Sequence, residues 1–210
     1  MPETVPIARS PIPPAPPVVV EHGWEISARR SGSGLRIMDA TPLAKVLVRA
    51  SPGGEAATKL GVPFGRATRD GYGTLVTGSA PGEWLLLSPP GTASEVARRL
   101  EEIPDTGMVS VFDATHGRAL IRLTGARAAD LLSKVCAIDF SGEVTPNGAA
   151  FRSSVAKVVA DLIRDDRDGE PSYLLHCERS SGQYLFGALL DAGGEFGIEV
   201  EGFAVPDLED

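Results

Sequence analysis

The chain has 210 residues, 42% of them hydrophobic but only 6% aromatic, with a formal net charge of −8. That length suffices for one large domain or two small ones around an aliphatic, alanine-rich core. The acidic balance argues against nucleic acid and anionic membrane as main partners. No apolar run approaches the ~20 residues of a membrane span, and the N-terminus lacks a signal-like apolar core, so a cytoplasmic location is expected.

Residues 1–34 read as a Pro/Gly/Ser-rich arm, extended or disordered. PETVPIARSPIPPAPPVVV is proline-dense and SARRSGSG follows; proline runs favour polyproline II and Gly/Ser runs stay flexible. It is either a disordered tail or an arm draped over a partner subunit, with Val18, Val19, Val20, Trp24 and Ile26 as anchors.

Residues 35–116 read as a first α+β lobe. Val46–Val48 give a strand, Gly53–Leu60 a short helix, and GTLVTGS (73–79) and Glu83–Leu87 two further strands. Thr92 caps a helix, with Glu95 completing a capping box and Val96, Leu100 and Ile103 on the buried side. Met108–Phe112 closes the lobe. The order β-α-β-β-α-β is the split βαβ, or ferredoxin-like, arrangement.

Residues 117–203 read as a second lobe of the same layout. After the turn Asp113–Gly117, Ala119, Ile121 and Leu123 alternate with Leu120, Arg122 and Thr124, the period of a strand with one buried face. From Ala126 the period becomes helical, with Leu131, Leu132, Val135 and Cys136 on one side. Phe151–Ile163 is long and β-branched, RDDRDGEP (164–171) is a polar loop, and SYLLHC (172–177) pairs back. Ser180 or Ser181 caps a helix carrying Tyr184, Leu185, Ala188 and Leu189, stopped by Gly193-Gly194. Ile198 and Val200 finish a short strand. Residues 204–210 form an acidic tail.

The inventory of reactive groups is thin, and no catalytic residue and no metal ligand is assigned. His116 reads as a turn residue and His22 lies in the arm. His176 and Cys177 are adjacent on a strand and so point to opposite faces, and neither has metal-ligand spacing to another Cys or His. Cys136 and Cys177 sit in apolar runs, as reduced buried thiols do. Asp165, Asp166 and Asp168 with Gly169 lack the twelve-residue calcium loop and read as a solvated hairpin turn. Gly32, Gly34, Gly65, Gly71 and Gly73 form no strand–Gly-rich–helix phosphate cradle. Asp161 interrupts the apolar run VAKVVADLI; buried there it needs a partner, otherwise it is an exposed strand position.

PGEWLLLSPPG, VFDATHGRALIRLTGARAADLLSKVCAIDF, AAFRSSVAKVVADLIRDD and SYLLHCERSSGQYLFGALLDAGGEFG, taken in order over roughly residues 40–200, resemble the gamma subunit of heterotetrameric sarcosine oxidase. They resemble more distantly the folate-binding domain of the glycine-cleavage aminomethyltransferase. That enzyme usually carries an Asp-x-Ser-His-x-Gly turn and a paired Asp-Asp in its long strand. Here the turn is Asp113-Ala114-Thr115-His116-Gly117 and the pair is Ala160-Asp161, which favours the gamma subunit. The resemblance implies two ferredoxin-like lobes and a small non-catalytic subunit of a complex that oxidatively demethylates sarcosine to glycine, passing a one-carbon unit to tetrahydrofolate. It places no cofactor on this chain; FAD, FMN, NAD, tetrahydrofolate and zinc belong to partners, the larger alpha and beta subunits and a zinc-binding delta subunit. Asp161 is the candidate folate contact. The alternatives are a free-standing folate-dependent one-carbon protein using Asp161, or a binding or regulatory module of the same fold.

Overall fold

A computed structural model of the chain describes residues 6–104 and 107–205. The period-two stretches of the middle of the chain build a five-stranded antiparallel sheet from β5 (Ala44–Ala50), β6 (Ala67–Arg69), β7 (Leu75–Ala80), β8 (Glu83–Ser88) and β9 (Val109–Asp113), in the order β6-β7-β8-β5-β9. Without the short β6, this is the strand order expected of a split βαβ unit. Its crossovers are α1 (Glu55–Leu60) and α2 (Ala93–Glu101). Val46, Val48, Trp84 and Leu86 pack there against Ala93, Val96 and Leu100, with Ile103 partly buried beside them. Thr92 is the N-cap of α2, but the capping box does not form: its hydroxyl donates to the carbonyl of Pro89 (2.7 Å) and meets Ser88 Oγ instead.

The second sheet contains β10 (Arg118–Gly125), β11 (Ala150–Val155), β12 (Val158–Arg164), β13 (Ser172–Glu178), β4 (Leu35–Asp39) and β14 (Glu199–Glu201), ordered β11-β12-β13-β10-β4-β14. Strand β4 crosses the lobe division drawn from sequence. It pairs antiparallel with β10 and parallel with β14, so the opening residues of the segment read as the first lobe complete the second sheet. Leu35 and Ile37 explain this, since both point into the core under the second pair of helices. Those helices, α3 (Ala128–Val135) and α4 (Gly182–Gly193), bring Leu131, Leu132, Leu185 and Leu189 onto Ile121, Leu123, Leu162 and Leu175. Each such buried aliphatic side chain stabilises by about 1.5–3 kcal/mol.

The two sheets face each other. Leu75, Leu85 and Leu87 of the first meet Leu120, Ile163 and Leu174 of the second. The helices lie on the outer faces, so the layers run α–β–β–α, a mixed α+β architecture dominated by sheet. No helix among the described residues is long and apolar enough to cross a membrane.

Three local expectations are refined. The run 151–163 is a hairpin, not one strand: Ala156 and Lys157 both adopt positive φ (47° and 69°), the two-residue turn that matches strand twist. Helix α4 ends at Gly193 with Gly194 as its C-cap, as expected, and a 3-10 turn then runs to the left-handed Gly197; its N-cap is Ser181, whose side chain makes no capping hydrogen bond. At Gly125 (φ +135°) a Cβ would lie 2.0 Å from the carbonyl oxygen of Gly34, so only glycine lets β10 pass the start of β4.

The described part of residues 1–34 packs on its own chain. Strands β1 (Ala8–Arg9), β2 (Val18–Glu21) and β3 (Trp24–Ser27) form a small sheet in the order β1-β3-β2. Trp24 and Ile26 enter the inter-sheet core, with Val19 partly buried beside them, and Ile12 reaches the core beneath α3 and α4. Val18 and Val20 remain exposed. Of the acidic tail, residues 206–210 lie outside the described residues.

Candidate functional site

Registry in the second sheet sets one polar row. Arg152 on β11 stands opposite Asp161 on β12, which stands opposite His176 on β13, which stands opposite Leu120 on β10. Side chains directly opposite on one face are neighbours. Arg152 Nε donates to Asp161 Oδ1 (2.7 Å) and Nη2 to Oδ2 (3.3 Å), while His176 Nδ1 lies 3.1 Å from Oδ2. Asp161 is thus half-buried and partnered. Burial acts to raise its pKa, but the hydrogen bonds from His176 and Arg152 outweigh it and hold the carboxyl below the usual range. Burial pushes His176 toward the neutral imidazole against the pull of Asp161, and its Nε2 is buried without a partner.

Lys45 lies close enough to act electrostatically on His176. Strand β5 turns Val46 and Val48 toward the helices and therefore Lys45 toward the other sheet. The side chain is fully buried, with Nζ donating to the carbonyls of Thr41 (2.6 Å) and Leu43 (2.7 Å). Burial pushes its pKa down to about 7, against the opposing pull of Asp39 and Asp113. Burial also raises Asp39, whose Oδ1 accepts the Thr41 N–H (3.0 Å). The lysine was not singled out from sequence. Its cue was position: it occupies the inward phase of a strand whose other phase is buried too.

Asp168 and Gly169 do form an exposed turn between Arg167 and Glu170, but Asp165 is not solvated. Asp165 is buried and meets three guanidinium groups: Arg122 at 2.7 Å, Arg69 at 3.2 Å and Arg167 at 3.2 Å. Arg69 comes from the first sheet and Arg122 from the second, so the carboxylate ties the two lobes. Asp166 pairs with Arg164 (2.9 Å) and accepts the Ser172 N–H. The physical reason is placement: the loop lies at the seam between sheets, where water is replaced by arginine.

The remaining candidates disperse. His176 and Cys177 do face opposite ways, His176 to the inter-sheet side and Cys177 to the helix-side core. Cys136 and Cys177 are free and buried, and burial pushes the Cys177 thiol up to about 11. His116 stacks on Trp24 (4.9 Å, 11° between planes) and shares with His22, Asp113 and Thr115 a cleft of about 470 Å³. Among the described residues no group of three His, Cys, Asp or Glu side chains could hold a metal ion. Gly32, Gly34, Gly65, Gly71 and Gly73 are loop positions.

Chemically, the row is a clamp. A general base must offer an accessible lone pair, and the free nitrogen of His176 is sealed. Both oxygens of Asp161 accept hydrogen bonds from its own neighbours, Arg152 and His176.

The family model of the GCVT N-terminal domain matches residues 65–207. The chain is 28% identical over 125 residues to an aminomethyltransferase of Saccharopolyspora erythraea, covering 60% of this chain and 34% of that protein. It is 27% identical over 124 residues to a 4-methylaminobutanoate oxidase (formaldehyde-forming) of Paenarthrobacter nicotinovorans, covering 59% of this chain and 15% of that one. The chain thus spans about a third or less of the length of these curated relatives. Among solved structures it is similar to a chain of heterotetrameric sarcosine oxidase from Corynebacterium sp. U-96, with TM-score 0.68 and 25% identity, covering 80% of this chain and 89% of that chain.

Proposed function

The chain belongs to the GCVT N-terminal domain family, and from that premise we propose that it is a small, non-catalytic subunit of a sarcosine oxidase-type flavoenzyme. One observation carries the reading: the likeness takes in 89% of a chain of a heterotetramer, against 15–34% of the curated relatives above. The engaged state of Asp161 supports it, because the one carboxylate in the long strand is held by its own neighbours. In this reading the complex oxidatively demethylates sarcosine in the cytoplasm. FAD, FMN, NAD, tetrahydrofolate and zinc reside on alpha, beta and delta partners, and this chain contributes shape and interface.

Co-expression with the large flavin-bearing partners tests it. The expected result is a stable yellow complex that retains this chain through gel filtration, while the chain purified alone is colourless. A tightly bound flavin on the lone chain, or amine oxidation by it, overturns the proposal. Tetrahydrofolate binding by the isolated chain that is lost in Asp161→Asn would instead establish the folate-binding alternative.

A further inference from the structure

A second cleft lies far from the polar row, on the outer face of the first lobe between α1, α2 and the turn before β7. It encloses about 420 Å³, within the range of small-molecule sites. Its floor is apolar: Leu60, Val76, Leu86, Val96, Leu100 and Ile103. Its rim carries both signs, Lys59 and Arg99 beside Asp70 and Glu102. Lys59 and Arg99 both line it, and neither meets a carboxylate at ion-pair distance among the described residues. Asp70 Oδ1 accepts the backbone N–H groups of Tyr72 (2.8 Å) and Thr74 (2.9 Å), and Glu102 is paired with Arg98 (2.6 Å).

Arg99 supplies the pointer to a ligand. Its guanidinium lies over the Tyr72 ring, 4.3 Å from the centroid, and its Nε is buried with no hydrogen-bond partner. Held over the ring and without a carboxylate partner, the guanidinium keeps donor capacity at its terminal nitrogens for a ligand anion. The exposed Tyr72 ring beside it offers a flat wall for stacking.

We propose that this cleft binds a small amphipathic anion, an aromatic or branched carboxylate whose apolar body rests on the floor formed by Val76, Leu86 and Val96 and whose charge is taken by Arg99 and Lys59. The site is independent of the assembly role proposed above and shares no residue with the row around Asp161.

The test is an amide-resonance titration of the full chain with 2-naphthoate, beside the uncharged 2-naphthalenemethanol. Saturable shifts are expected around residues 59–60, 70–76 and 96–103, with Kd below about 1 mM. The alcohol should bind at least about tenfold more weakly, and Arg99→Met with Lys59→Met should weaken naphthoate by about tenfold while leaving the alcohol unchanged. Arg99→Lys, which keeps the charge, should hold binding within about threefold. Shifts that map elsewhere, equal binding of acid and alcohol, or naphthoate affinity indifferent to the double substitution in a chain with an unchanged melting transition would each overturn the proposal.

Discussion

Lys45 gives the sharpest test of the buried polar seam. An amine whose pKa is about 7 in the folded chain and near 10.5 in the unfolded one is charged in both states below pH 7. Above pH 7 the folded state releases its proton first, so the unfolded state binds more protons and stability must rise with pH. The slope approaches about 1.4 kcal/mol per pH unit, and between pH 7 and 9 it integrates to about 2 kcal/mol. Near pH 9 the raised Cys177 thiol begins to act in the opposite sense, since there the folded state holds the extra proton, so the window closes. Asp39, Asp113 and Arg179 are the other charged groups acting on Lys45. Lys45→Met keeps the stem and removes the proton. Urea unfolding of wild type and variant at pH 7, 8 and 9 should therefore give curves that diverge, the variant losing ground as pH rises. At pH 9 its deficit should reach about 1–3 kcal/mol, because the carbonyls of Thr41 and Leu43 lose their donor. Parallel pH dependences for the two proteins would refute the reasoning.

Two further outcomes follow from the same geometry. Asp165→Ala leaves Arg69, Arg122 and Arg167 without their shared carboxylate and should cost about 3–5 kcal/mol in chemical unfolding; a loss below about 1 kcal/mol would show that water already screens the cluster. Removing residues 1–30 strips Ile12, Trp24 and Ile26 from two cores, and should lower stability by at least the ~3–5 kcal/mol of a large core truncation; an unfolding midpoint equal to that of the full chain would mark the segment as an appendage.

What sequence made visible was periodicity. The alternation in β10 and the helical spacing after Ala126 led to the right elements because both faces of each pattern are decided locally. The arm was harder. Proline suppresses regular ladder pairing, and the compensating burial of Trp24 depends on residues such as Leu85 and Leu120, which are remote in the chain. Strand β4 was missed for a related reason: five residues carry little pattern, and its place between β10 and β14 is set by long-range pairing. The Ala156-Lys157 turn carries neither glycine nor asparagine, so the hairpin has no local signature.

The polar residues show the same division. Asp161 stands out in sequence because a carboxylate in an apolar run is costly alone; what sequence withholds is the identity of its partners. Arg152 and His176 are nine and fifteen positions away, and Arg69 is ninety-six from Asp165. Each buried acid in the seam is answered by donors from this same chain, whereas a reactive centre leaves some donor or acceptor directed at an absent substrate. Asp165 and its three arginines join the two sheets, while Arg122 Nε, Arg167 Nη2 and His176 Nε2 stay buried without a partner. The buried Nε of Arg99, on the opposite face of the first lobe, is the unpaired donor that borders a cleft large enough for a ligand. The Asp165 cluster, which ties one sheet to the other, therefore belongs to stability, and the cleft beside Arg99 is where a small anionic ligand is to be sought.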